Sequence, residues 1–223
     1  MIVVPIISKK TDEAIKDIKN AKMLEADVVE LRLDYFKSLT EEDLKLLLNT
    51  TNLPKIATCR RKKEGGYFDK EEKERLLLLK KAAMFGADYI DIEYDADFSA
   101  FKNIESKIIC SYHNFKKTPE LDELTEILQK CAVKKPFVVK IVTMAKKDID
   151  NIIILEFLEN SKSILSKKIK IVSFCMGEKG ILSRILCMQH GSFFTFASLK
   201  KGKESASGQI NIGLMKDINK LII

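Results

Sequence analysis

Phe137-Val138-Val139-Lys140-Ile141-Val142-Thr143-Met144 is an apolar run broken by a single ammonium. A short β-branched run of this kind reads as a buried strand of a parallel sheet, covered on both faces. A lysine inside it is costly to desolvate, so the chain must pair the charge or use the amine in neutral form. A desolvated amine is a nucleophile suited to attacking a carbonyl and forming a Schiff base. The other reading is a strand-end lysine whose head snorkels to water. This stretch alone does not separate the two.

Runs of the same kind recur from end to end. Strands are expected at 2–7, 28–34, 55–60, 89–95, 107–114, 137–144, 168–175 and 193–199. Amphipathic helical patterns lie between and after them at 11–24, 40–49, 69–85, 119–131, 146–160, 180–189 and 208–221. The gap at 97–105 has room for no more than two helical turns. Thr11 and Thr40, each followed by acidic residues, mark helix starts, and Gly86 marks a helix end. Eight strand–helix units of about 28 residues each suit a closed (β/α)₈ TIM barrel. An open doubly wound sheet would want a glycine-rich turn after its first strand, and here that turn is Ser8-Lys9-Lys10. No Pro/Gly/Ser-rich linker interrupts the alternation, so residues 1–223 are expected to form one domain.

Composition narrows the function classes. A hydrophobic fraction of 46% with 32% charged residues is ordinary for a globular protein. No apolar run approaches the roughly 20 residues that cross a bilayer. Residues 1–7 read as a first strand rather than a leader, and the expected location is the cytoplasm. Cys59, Cys110, Cys131, Cys175 and Cys187 are odd in number and lack CxxC spacing, as expected of reduced, packed thiols. The net charge of +7 comes from lysines interspersed with glutamates, as in Lys70-Glu71-Glu72-Lys73, which reads as solvated helix faces rather than a nucleic-acid surface. No HExxH or similar spacing calls for a metal, and no GxxxxGK[ST] loop calls for a nucleotide. The expected partner is an anionic small molecule, with no cofactor.

In a barrel, chemistry gathers at the C-terminal ends of the strands. The polar residues there are Glu30 and Arg32, Arg60 with Glu64, His113, Lys140, and Arg184 just after the seventh strand. Glu30 and Arg32 share one strand face, while Val29, Leu31 and Leu33 face the helices. An ion pair across the barrel floor is the alternative use of the first two. His113 ends an apolar strand where sites form, making it the candidate proton shuttle. His190, before Gly191, is expected to serve a helix end. Glu64-Gly65-Gly66 and Gly177–Gly180 read as tight loops, and 200–209 as a mobile lid over the eighth strand.

At these positions the chain resembles the type I 3-dehydroquinate dehydratases of the shikimate pathway. The resemblance runs over nearly the whole sequence. Val29-Glu30-Leu31-Arg32-Leu33-Asp34 is similar to that family's second-strand signature, and Arg60-x-x-x-Glu64-Gly65-Gly66 to its arginine–glutamate element. Ser111-Tyr112-His113-Asn114-Phe115 resembles its histidine motif, and Val139-Lys140-Ile141 its Schiff-base segment. Met176-Gly177 with Ser183-Arg184 resembles its carboxylate-binding segment, and Ser205-Ala206-Ser207-Gly208-Gln209 its substrate-covering loop. Ser207 stands where the family often has proline.

The resemblance implies a lyase that converts 3-dehydroquinate to 3-dehydroshikimate and water. It implies Lys140 as the Schiff-base residue, His113 as proton shuttle and Glu64 as the group orienting the imidazole. Arg184 would hold the substrate carboxylate. Glu30, Arg32 and Arg60 would face ring hydroxyls or balance charge, and Ser205 and Gln209 would close over the ligand. A homodimer is the family-level expectation. A class I aldolase or transaldolase, which also carries a strand-six lysine, is the alternative enzyme.

Overall fold

The computed structural model describes residues 1–222. Among the described residues, eight parallel strands alternate with seven α-helices. The strands are β1 (Ile2–Ile6), β2 (Val28–Arg32), β3 (Lys55–Thr58), β4 (Tyr89–Glu93), β5 (Lys107–Asn114), β6 (Val138–Met144), β7 (Lys170–Met176) and β8 (Thr195–Phe196). The helices are α1 (Thr11–Met23), α2 (Glu41–Asn49), α3 (Glu72–Met84), α4 (Leu121–Ala132), α5 (Ile149–Ile164), α6 (Ile181–Leu186) and α7 (Ile212–Ile222). The hydrogen-bonded order is β7-β6-β5-β4-β3-β2-β1-β8. Between β7 and the segment entering β8, the Phe193 N–H donates to the Ile171 carbonyl at 2.7 Å. That bond brings the ends of the sheet together into a nearly closed TIM barrel.

Agreements with the sequence expectation and departures from it both have local causes. Between β4 and β5 the chain makes only a 3₁₀ turn, Phe98–Phe101, started by Asp97 accepting from the Ser99 N–H at 2.8 Å. The eighth strand is shorter than expected because its flanks bond elsewhere: Phe193 to β7, and the Ser198 N–H to the Ile210 carbonyl at 2.9 Å. Thr40 starts α2 through a full capping box with Asp43. Thr11 is the first helical residue of α1, with Lys10 at the cap and no side-chain cap bond. Gly86, at φ 96°, follows α3 in a left-handed conformation that a side chain would strain.

Strand alternation builds the interior in layers. Val28, Ile56, Tyr89, Ile109 and Val138 belong to one buried cluster at the base of the barrel. Two residues further along each strand, on the same face, stand Glu30, Thr58, Asp91, Ser111 and Lys140. Two more bring Arg32, Arg60, Glu93, His113 and Val142. The barrel therefore has an apolar plug below and a charged chamber above. On the outer face, Val29, Leu31 and Leu33 pack with Ala14, Ile18 and Ala21 of α1 and Leu44, Leu47 and Leu48 of α2. Burying each such side chain contributes roughly 1.5–3 kcal/mol, which holds the helical ring against the strands. All five cysteines are buried free thiols. Among the described residues no helix is long and apolar enough to cross a membrane.

Candidate active site

A cavity of about 190 Å³ opens at the C-terminal end of the barrel. Glu30, Arg32, Arg60, Glu64, His113, Lys140, Arg184, Ser205 and Gln209 all line it. Residues up to 179 positions apart in the chain are thus brought to one chamber by strand register and by the two loops that roof it.

Lys140 does not snorkel to solvent. It is 6% exposed, and its Nζ donates to Asp91 Oδ2 at 2.9 Å. Glu30 Oε1 lies at 3.9 Å, and the Phe196 ring centroid at 4.8 Å. The amine in its apolar strand is therefore ion-paired, one of the two outcomes open to a buried lysine. Asp91 Oδ1 also accepts from Arg60 and from the Ser111 hydroxyl, each at 2.6 Å. Burial pushes the Asp91 carboxyl up, but Arg60 and Lys140 outweigh it and hold the group well below the usual carboxylate range.

Arg60 is the hub of a larger buried network. Its guanidinium pairs with Asp91 and with Glu93 Oε1 at 2.9 Å, and donates to Ser111 Oγ at 2.9 Å. Glu93 in turn pairs with Arg75 of α3 at 2.7 Å. Arg32 is held by Asp34 through two bonds of 2.9 and 2.8 Å and lies 4.9 Å from the Tyr35 ring centroid. Glu30 accepts from Thr58 at 2.8 Å. The Glu30–Arg32 floor pair considered from sequence is thus replaced by separate partners, and both residues face the cavity.

His113 Nδ1 sits 3.1 Å from Glu64 Oε2. Burial, then the charges of Arg60 and Lys140, push the imidazole well below its usual range, so it is neutral near pH 7. Burial also raises the Glu64 carboxyl above its ordinary value, against the pull of Arg60 and Arg61. The glycines after Glu64 act sterically. A Cβ on Gly65 would meet the Phe115 ring at 2.7 Å, and one on Gly66 would lie 2.0 Å from the Arg60 carbonyl. The loop can therefore fold tightly enough to bring Glu64 to His113. His190 is elsewhere, partly exposed, with Nδ1 3.2 Å from Glu159 of α5.

Arg184, the fourth residue of α6, is 1% exposed and has no acidic partner among the described residues. Its bonds to the Phe196 and Cys175 carbonyls are long, 3.4 and 3.5 Å, and its Nε has no partner. The guanidinium lies 4.3 Å from the Phe174 ring centroid. Burial brings its pKa down to about 10. An unpaired, buried, planar cation facing a cavity is a receptor for a carboxylate. The segment 205–209 lies over the same cavity. Gly208 packs where a Cβ would be 2.2 Å from the Gly177 carbonyl, and the Gly177 N–H donates to the Ser207 carbonyl at 3.0 Å. Ser205 and Gln209 bond each other, with Gln209 Nε2 donating to Ser205 Oγ at 3.0 Å.

Asp91 is the residue that sequence reasoning missed. Its signal was present: Ile90-Asp91-Ile92-Glu93 alternates as Val29-Glu30-Leu31-Arg32 does, and points its acids inward. Among the described residues no cluster of three or more His, Cys, Asp or Glu side chains is disposed to hold a metal ion.

Comparison with known proteins fits this chamber. The family model for type I 3-dehydroquinase matches residues 2–222. The 3-dehydroquinate dehydratase of Methanocaldococcus jannaschii is 39% identical, over 100% of this chain and 99% of its own length. That of Methanococcus maripaludis is 38% identical over the whole of both. The crystal structure of the Clostridium difficile type I enzyme superposes with a TM-score of 0.89 at 28% identity, covering 99% of this chain and 91% of that one. A 3-hexulose-6-phosphate synthase, at 12% identity and a TM-score of 0.62 over 98% of both chains, shares the barrel alone. With the family match spanning all but the chain's ends, and two relatives above 30% identity along its full length, the chain belongs to the type I 3-dehydroquinase family.

Proposed function

We propose that this chain removes water from 3-dehydroquinate to give 3-dehydroshikimate, with Lys140 as the covalent carrier. The reaction is a lyase step of the shikimate pathway, and the family makes its Schiff base on lysine. Family membership sets aside the aldolase or transaldolase alternative.

In this reading the Lys140 amine adds to the substrate ketone and the carbinolamine loses water to form an iminium. The iminium draws electrons from the neighbouring carbon and acidifies its C–H. His113 takes that proton; burial, which pushes its imidazole well below its usual range, supports the role by leaving the ring able to accept. The same imidazole, now protonated, delivers the proton to the departing hydroxyl. Hydrolysis of the iminium consumes one water and frees the product, so one water is lost overall. Glu64, at 3.1 Å, holds the imidazole ring. Arg184 takes the substrate carboxylate. Glu30, Arg32 and Arg60 face the ring hydroxyls or balance the charge of the chamber, and Ser205 and Gln209 cover the ligand.

One observation carries the reading: a buried lysine, a histidine held by Glu64 and a buried arginine without an acidic partner share a single cavity. In this reading residues 1–223 work as one catalytic domain, in a cytoplasmic homodimer. Light scattering of the purified protein tests the dimer. For the chemistry, product formation is followed by the absorbance of the conjugated enone, and borohydride is added during turnover. A mass increase confined to Lys140 is expected. An adduct on another lysine, or full activity of Lys140→Ala, overturns the assignment.

A further inference from the structure

We propose that Asp91 is the fixed counter-ion of the Schiff-base nitrogen, keeping it protonated so that it acts as an electron sink. The inference rests on Lys140 being the covalent residue. It concerns a side chain that touches the reacting nitrogen from below and is absent from the wall of the cavity.

The geometry separates the two oxygens of Asp91 into two tasks. Oδ1 is tied down by Arg60, two residues past the end of β3, and Ser111 from β5, both at 2.6 Å. Oδ2 is left to Lys140 Nζ on β6 at 2.9 Å. A carboxylate anchored on one side by a guanidinium and a hydroxyl cannot swing away when the lysine changes its bonding. Its burial, 1% exposed at the junction of the apolar plug and the charged chamber, keeps water from replacing it.

The chemistry needs such an anion. Condensation converts R–NH₃⁺ and a ketone into R–NH⁺=C and water, and the nitrogen carries one positive charge and at least one N–H at both ends. A fixed carboxylate at hydrogen-bond distance therefore suits both states without moving. Loss of that last N–H proton would give a neutral imine, a much weaker electron acceptor, and elimination would stall. Asp91 is also a poor choice for a base, since Arg60 and Lys140 hold it anionic. The proton moves needed during carbinolamine collapse fall to His113 instead.

The other groups around the nitrogen are accounted for. Glu30 on β2 is at 3.9 Å, bonded to Thr58 and facing the cavity. Glu93 on β4 is occupied by Arg60 and Arg75. His113 on β5 is neutral and held by Glu64 from the β3–α3 loop, Arg184 of α6 reaches the cavity with no anion of its own, and β8 presents only the Phe196 ring. Asp91 is thus the carboxylate in hydrogen-bond contact with Nζ.

The test uses Asp91→Asn, which keeps shape and removes charge, with Asp91→Glu as the charge-restoring variant. Turnover is measured against pH, and borohydride trapping is read by peptide mass at each pH. Loss of a charge-assisted contact is expected to lower kcat about 10- to 100-fold in Asp91→Asn. Its alkaline limb should move to lower pH, and trapped adduct at Lys140 should fall off over the same range. Asp91→Glu should recover part of the alkaline limb. A folded Asp91→Asn protein with the wild-type alkaline limb overturns the proposal, because a purely structural role would change stability and not this profile. If wild type itself shows no adduct at Lys140, the Schiff-base reading fails and this inference with it. Should Asp91→Asn not fold, the C=N stretch of the wild-type product adduct decides. A shift on exchange into D₂O across the whole pH range of turnover supports the proposal, and loss of that shift within the range overturns it.

Discussion

Replacing Arg184 by methionine should make the empty protein more stable and the enzyme far worse at holding its ligand. The guanidinium is buried without a carboxylate, on two long carbonyl bonds of 3.4 and 3.5 Å. Burial brings its pKa down from the ordinary guanidinium range to about 10. Such a drop corresponds to roughly 3 kcal/mol against the charged form, which the folded state carries at neutral pH. Methionine has similar length, stays apolar and keeps a sulfur contact with the Phe174 ring. It gives up the two weak bonds and leaves their carbonyls to other partners, so the net gain should be about 1–2 kcal/mol. For a chain of this size that is a rise in Tm of about 2–8 °C.

Binding should move the other way. If Arg184 grips the carboxylate, its loss leaves a buried anion unpaired at a cost of about 2–5 kcal/mol. That equals an affinity for product about 30- to 4,000-fold lower. Arg184→Lys should recover only part, because an ammonium lacks the planar fork. Calorimetric unfolding without ligand, and titration with 3-dehydroshikimate at fixed ionic strength, measure both halves. Wild-type affinity in Arg184→Met would refute the carboxylate role. A variant several kcal/mol less stable than wild type would refute the unpaired-charge argument.

Three further outcomes are expected. His113→Ala should lose about 10²–10⁴-fold in turnover while still yielding a borohydride-trapped adduct at Lys140, whereas His190→Ala, beside Glu159 and outside the cavity, should stay near wild type; a fast His113→Ala enzyme contradicts this. Because burial, Arg60 and Lys140 depress the imidazole in the folded state, the unfolded chain binds the extra proton first as pH falls below about 6.5. The stability His113 contributes is thus present above that pH and lost below it, so denaturant titrations of His113→Gln should show a flatter acid limb than wild type. Gly66→Ala should destabilise by about 1–3 kcal/mol and lower kcat, since its Cβ would lie 2.0 Å from the Arg60 carbonyl and force the Arg60–Glu64 loop apart; unchanged unfolding would show that the loop yields without strain.

Much of this was legible in the chain because it rests on local periodicity. Strands and helices alternate in hydrophobic pattern, and that pattern survives in the fold to within a few residues at most ends. The polar interruptions at Glu30, Arg32, His113 and Lys140 follow the two-residue period of a strand, so their shared inward face could be read before any contact was known. The capping box at Thr40 and the turn at Gly86 depend on nearest neighbours and were equally readable.

What the linear pattern left open depends on partners far away in sequence. Asp91 and Lys140 are separated by 49 residues, Arg184 and Phe196 meet across the seam near β8, and Glu64 reaches His113 only because two glycines let the loop fold back. Lys140 alone determined that a charge would enter the sheet, and hence that the chain had to answer its desolvation. Whether the answer was solvent, a neutral amine or an anion depended on which side chain the neighbouring strands placed below it. Strand register in a nearly closed barrel put Asp91 there, and left Arg184 without an acidic partner among the described residues.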